Sequence, residues 1–148
     1  MLTINNLSLK DAKPTDSPHL LLWDNPNDLE IQQILFNNNA QLVSYRDNLL
    51  SRVNGKSPFL ILDKKLGEEL DAIKQISADA TKPIVLLKDL DILITYLYSN
   101  PPSDRSRLIS LFWQKLGGMR HLESILWILL PTQPHPINWD KKRIRIVK

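Results

Sequence analysis

Apolar residues along this chain fall into short solid runs separated by stretches with a helical repeat. Six segments read as strands: His19–Trp23 (HLLLW), Gln41–Tyr45 (QLVSY), Phe59–Leu62 (FLIL), Pro83–Leu87 (PIVLL), Ile125–Leu130 (ILWILL) and Arg143–Val147 (RIRIV). Four of them are continuous apolar runs, the pattern of strands covered on both faces. Arg143–Val147 alternates, as an edge strand with one wet face does.

Helical patterns lie between these runs. Asn27 followed by Glu30 fits a capping box, in which the Asn side chain accepts from a free backbone N–H and the Glu reaches back. Leu29, Ile34 and Leu35 then follow at core-facing spacing, and Asn37–Asn39 ends the helix. Residues 46–54 suggest a short helix. In a longer one Leu66, Leu70, Ile73 and Ile76 recur every three or four residues. A further helix runs from Leu90 to Tyr98 and stops before Pro101-Pro102. The last begins near Ser103-Asp104, presents Leu108, Leu111, Phe112 and Leu116 on one side, and breaks at Gly117-Gly118. Strands that alternate with helices predict an α/β three-layer sandwich around a mostly parallel sheet of about five strands, either P-loop NTPase-like or flavodoxin-like. Pro-, Asp- and Ser-rich residues 11–18 predict a loop. Residues 1–17 then form a flexible arm, and 18–148 a single domain of ordinary size for 148 residues.

Composition narrows the chemistry. The chain has no cysteine, which excludes disulfides, cysteine-ligated zinc, iron–sulfur clusters and a thiol nucleophile. Its net charge of +3 is local. The closing KKRIRIVK carries five of the 19 Lys and Arg, so the rest holds 14 basic groups against 16 acidic ones. No apolar run approaches the about 20 residues of a membrane-spanning helix, and no export segment opens the chain, so a cytoplasmic location is expected.

Ligands of parallel sheets bind where strands run out into helices, so those junctions are the places to look. The first, Trp23-Asp24-Asn25-Pro26-Asn27-Asp28, has no glycine with which to turn several N–H groups around a phosphate, and its carboxylates repel one. Gly55-Lys56-Ser57 resembles the end of a phosphate loop, but Leu50 stands where the motif needs glycine and a strand-like run follows; a plain turn is expected. At the second junction, Lys88-Asp89-Leu90-Asp91, an apolar strand ending in acids resembles a Walker B segment, but without a phosphate loop to bring a metal the expectation is that Asp89 or Asp91 caps the following helix. At the third, Leu130-Pro131-Thr132-Gln133, Thr132 could act as a sensor-like polar group, or the prolines could simply make a rigid turn. The three histidines have no metal spacing and no nucleophile elbow exists, so no enzyme activity, cofactor or metal is expected.

From Lys82 onward the order of features resembles the AAA-type P-loop ATPases. A Walker B-like strand (IVLLKDLD), two helices, a strand with a polar turn (ILWILLPTQP) and a closing strand (RIRIV) succeed one another. The resemblance is to degenerate members, with Asp89 and Asp91 as a Walker B-like remnant, Thr132 as sensor and the phosphate loop lost. It implies an inactive or helper subunit that packs on an active partner. The first half is also similar to response-regulator receiver domains. There Asp24 would belong to the acidic pair and Asp63, ending FLILD, would take the place of the phosphorylated aspartate, implying a pseudo-receiver that signals to a partner.

The leading expectation is therefore a non-catalytic, ATPase-like adaptor or regulatory subunit acting through protein–protein contacts. The Leu108–Leu116 helix with Trp113, and the final strand with Arg143 and Arg145, are its contact candidates. An edge strand also allows self-association. Nucleic-acid binding through KKRIRIVK is a further alternative; it implies an affinity that falls steeply with salt.

Overall fold

A computed structural model describes residues 7–53, 66–98, 102–133 and 138–147. The fold is α/β, with the elements β1 (His19–Trp23), α1 (Asp28–Asn38), β2 (Ala40–Ser44), α2 (Tyr45–Val53), α3 (Leu66–Ala78), β3 (Ile84–Lys88), α4 (Asp91–Tyr98), α5 (Pro102–Gly117), β4 (Ile125–Leu130) and β5 (Ile144–Val147). The expected strand Phe59–Leu62, and Gly55-Lys56-Ser57, lie outside the described residues.

The five strands form one sheet in the order β2-β3-β4-β1-β5, and every neighbouring pair is parallel. Solid apolar runs become central strands: every residue of β1 is buried, and so are Ile84–Leu87 of β3. The alternating final segment becomes the edge strand β5, with Ile146 exposed. Flavodoxin-like sheets place the first strand between the second and third. Here β1 lies between β4 and β5, which occupy both its edges, so the flavodoxin-like arrangement is corrected.

Among the described residues the two faces are covered unequally. On one, helices α2 to α5 pack Tyr45, Ile73, Leu93, Phe112 and Leu116 against Leu20, Val85, Leu87 and Ile128. On the other lie α1 and the segment before β1, which bury Leu9, Ile31 and Ile34 against Leu21, Leu86 and Trp127. Within residues 7–17, expected as part of a flexible arm, four side chains are anchored on the domain and five are exposed. Leu7, Leu9, Ala12 and Ser17 are buried; the Leu9 N–H donates to Asn38 Oδ1 at 2.8 Å, and the Leu9 carbonyl accepts from Trp127 Nε1 at 3.1 Å.

Helix α1 begins at the expected cap. Asn27 Oδ1 accepts from the Glu30 N–H at 2.8 Å, but Glu30 meets the Asn27 side-chain amide, at 2.6 Å, rather than its backbone. Ile31, Ile34, Leu35 and Asn38 form the inward stripe. Leu29, expected in the core, is two positions from Ile31, about 200° around the helix, and is 83% exposed. Phe36 shares its side of the helix and is 87% exposed.

His19, fully buried at the start of β1, packs its ring 4.9 Å from that of Trp127. Burial pushes its pKa below the ordinary histidine value. The folded state thus disfavours the proton that the unfolded chain binds near pH ~6.5. Stability is fully present above that pH and falls as the pH drops toward the lowered folded value, at up to about 1.4 kcal/mol per pH unit. Urea melts between pH 5 and 7 are expected to show this slope in the wild type and a flatter one in His19→Gln; equal slopes would assign the loss to other groups.

Candidate functional site

The carboxyl ends of β1, β4 and β3 lie side by side, and the three junctions singled out in the sequence therefore share one edge of the sheet. Asp24 follows β1, and Thr132 comes two residues after Leu130, which is in register with Leu22. The Thr132 N–H donates to Asp24 Oδ1 at 2.9 Å and its hydroxyl to Asp24 Oδ2 at 2.6 Å. These bonds favour the ionised carboxylate and hold the Asp24 pKa below the usual range. The turn is made without glycine by Asn25, whose φ of 52° is left-handed; Asn tolerates this conformation better than most residues. In Thr132→Val the Asp24 pKa is expected to rise toward the ordinary value, measured by NMR titration of its carboxyl carbon. An unchanged pKa would mean that the clasp is absent in solution.

A second clasp closes the neighbouring part of the edge. Ser44, in register with Lys88, donates its hydroxyl to Asp89 Oδ2 at 2.7 Å and accepts from the Asp47 N–H at 3.2 Å. Asp89 has φ 69°, so the chain turns sharply out of β3. The Asp89 carboxylate is therefore spent on β2 rather than on capping α4. Asp91, the first residue of α4, takes no hydrogen bond or ion pair from any described residue. Between α4 and the end of β4 lies a cleft of about 380 Å³ lined by Asp91, Ile94, Thr95, Tyr98, Leu130 and Pro131.

The site thus brings Asp24 and Thr132 into contact and sets Asp89, bonded to Ser44, and Asp91, with no partner among the described residues, on the same edge. Among the described residues no group of three His, Cys, Asp or Glu side chains converges as a metal site. Asp63 lies outside the described residues. Ser44 escaped the sequence reading, although a hydroxyl ending a strand just ahead of a helix is a signal for such a clasp.

The expected contact residues are less exposed than their sequence pattern suggests. Leu108, Phe112 and Leu116 face the core, and Trp113 is half-buried, 5.0 Å from the Phe112 ring and 6.2 Å edge-on to Trp139. Arg143 is buried: its guanidinium donates to the carbonyls of Pro18 and Gly117 at 2.8 and 3.1 Å and lies 5.1 Å over the Trp139 ring. Burial holds its pKa below the usual arginine value. Arg145 is half-buried and folds back onto the carbonyls of Lys142 and Ile144.

Fold and edge together define a parallel α/β protein whose first strand–helix junction is closed by its own side chains. No family model matches the chain, and no curated protein matches it. No helix among the described residues is long and apolar enough to cross a membrane.

Proposed function

We propose that this chain is a non-catalytic domain of ATPase-like layout that acts as an adaptor or regulatory subunit through contacts with other proteins. The observation that carries this reading is the Asp24–Thr132 clasp. Where a nucleotide phosphate needs inward-turned N–H donors, this junction presents a carboxylate, and the Thr132 donors are already committed to it. The positions that the ATPase resemblance equates with phosphate loop, sensor and Walker B segment lie on adjacent strands, β1, β4 and β3, which supports the layout.

Protein contact is supported by the outward side of α1, where Leu29 and Phe36 stand in solvent seven residues apart. Large apolar side chains exposed on one helical face are a common mark of an interface. The receiver-like alternative loses support from the neighbours of β1, and the nucleic-acid alternative from the withdrawal of Arg143 into the core.

Isothermal titration with ATP and Mg²⁺ tests the proposal. No heat of binding at micromolar nucleotide and no turnover are expected; micromolar affinity or measurable hydrolysis would overturn it.

A further inference from the structure

We infer that the cleft between α4 and the end of β4 is a socket for an arginine side chain presented by a partner protein. The inference rests on the protein-contact reading above and adds a second contact surface, on the face of the sheet opposite α1. Asp91, Ile94, Thr95 and Tyr98 are spaced i, i+3, i+4 and i+7, so they form one stripe of α4. Leu130 and Pro131 make the facing wall. The rise of a helix puts Asp91 and Tyr98 about 10 Å apart along its axis, with Ile94 and Thr95 between them. The stripe thus runs from a carboxylate, over an apolar floor with one hydroxyl, to an exposed aromatic ring.

Charge and shape together select the occupant. Asp24 and Asp89 on this edge already accept from Thr132 and Ser44, whereas Asp91, the acid that lines the cleft, has no donor among the described residues. An anion would be repelled by it. An apolar group would fill the walls but strip water from the carboxylate with nothing in return. A cation on a long apolar stem meets both demands: the stem lies on Ile94, Leu130 and Pro131, and the head reaches Asp91. Arginine fits better than lysine, because a planar, weakly hydrated guanidinium pairs bidentately with a carboxylate and tolerates a flat apolar wall. Tyr98 closes the far end, where the partner's backbone would pass.

Amide-resolved NMR of the isotope-labelled full chain, titrated with N-acetyl-arginine amide, tests the inference. Saturable shifts at Asp91, Ile94, Thr95 and Tyr98 are expected, with millimolar affinity. The citrulline analogue, which has the same shape without the charge, is expected to bind about fivefold more weakly, the factor a good exposed ion pair supplies. Asp91→Asn, an exposed substitution at a helix start, is expected to abolish the difference between the two probes while leaving the spectrum folded.

Equal affinities for arginine and citrulline probes, shifts confined to other surfaces, or an unresponsive spectrum would each overturn the socket. So would a lysine analogue that binds as tightly as arginine. Shifts at the same amides on dilution without probe would show a second copy in the cleft, and would overturn the foreign partner. The failures are separable: an empty cleft with no ATP binding sinks only this inference, whereas ATP binding sinks the non-catalytic reading whatever the arginine probe does.

Discussion

Trp127→Ala is expected to destabilise the fold by about 4 kcal/mol, within the range for removing a buried aromatic from a core. Trp127 is 1% exposed on β4, with β1 on one side and β3 on the other. Its ring packs on His19, and its N–H holds the Leu9 carbonyl. Truncation therefore opens a cavity on the face covered by α1 and the segment before β1, and releases that segment. Trp127→Phe keeps most of the volume and forfeits the N–H bond, so a smaller loss of about 1–2 kcal/mol is expected. Urea denaturation read by far-ultraviolet circular dichroism measures both. A loss below about 2 kcal/mol for the alanine variant would mean that the segment and α1 collapse into the space.

The second large effect is expected at Glu69. Its carboxylate is 3% exposed on α3 and accepts the Tyr45 hydroxyl at 2.6 Å and both terminal nitrogens of Arg52 at 2.9 and 2.7 Å. Tyr45 and Arg52 both belong to α2, so this one carboxylate ties α2 to α3. Burial, then the hydrogen bond to Glu69 and its charge, push the Tyr45 pKa well up, and the hydrogen bonds from Arg52 to Glu69 raise the arginine's own. Glu69→Ala leaves a buried hydroxyl and a partly buried guanidinium without their acceptor, for a loss of about 3 kcal/mol. Because the Arg52 side chain is 32% exposed, water recovers part of its solvation, which keeps the figure at the low end of the range. Arg52→Met, which keeps the stem but takes the cation away from the buried Glu69 carboxylate, is expected to cost at least as much. Were Glu69→Ala within about 1 kcal/mol of wild type, the triad would not be formed in solution.

Much of the architecture was legible because it rests on local periodicity. His19–Trp23 and Ile125–Leu130 are strands with the bounds their apolar runs indicate, and the breaks at Asn39 and Gly117-Gly118 fall where the helices stop. Errors arose where one residue's direction depends on what lies opposite. Leu29 satisfies an amphipathic pattern on paper, yet the sheet takes the stripe through Ile31, Ile34 and Leu35 and leaves it outside. Arg143 read as a surface cation because its neighbours are basic; the carbonyls of Pro18 and Gly117, far away in sequence, draw it inward. Residues 7–12 carry polar and loop-forming residues, and only the contact with Asn38 and Trp127 shows that Leu7 and Leu9 have a place to go.

The candidate edge divides in the same way. That Asp24, Asp89, Asp91 and Thr132 sit at strand ends was readable, since strand ends follow from the apolar runs. Which of them meet was not, because parallel pairing is set by how strands of distant sequence pack. Residue order alone determined that this chain builds an alternating strand–helix domain and that its first turn lacks the glycines for wrapping an anion. Only the assembled sheet decided that Thr132 reaches Asp24, that Ser44 occupies Asp89, and that Asp91 is left open beside a cleft. A side chain's type is a local fact, but its partner is chosen by the strand that packing puts next to it.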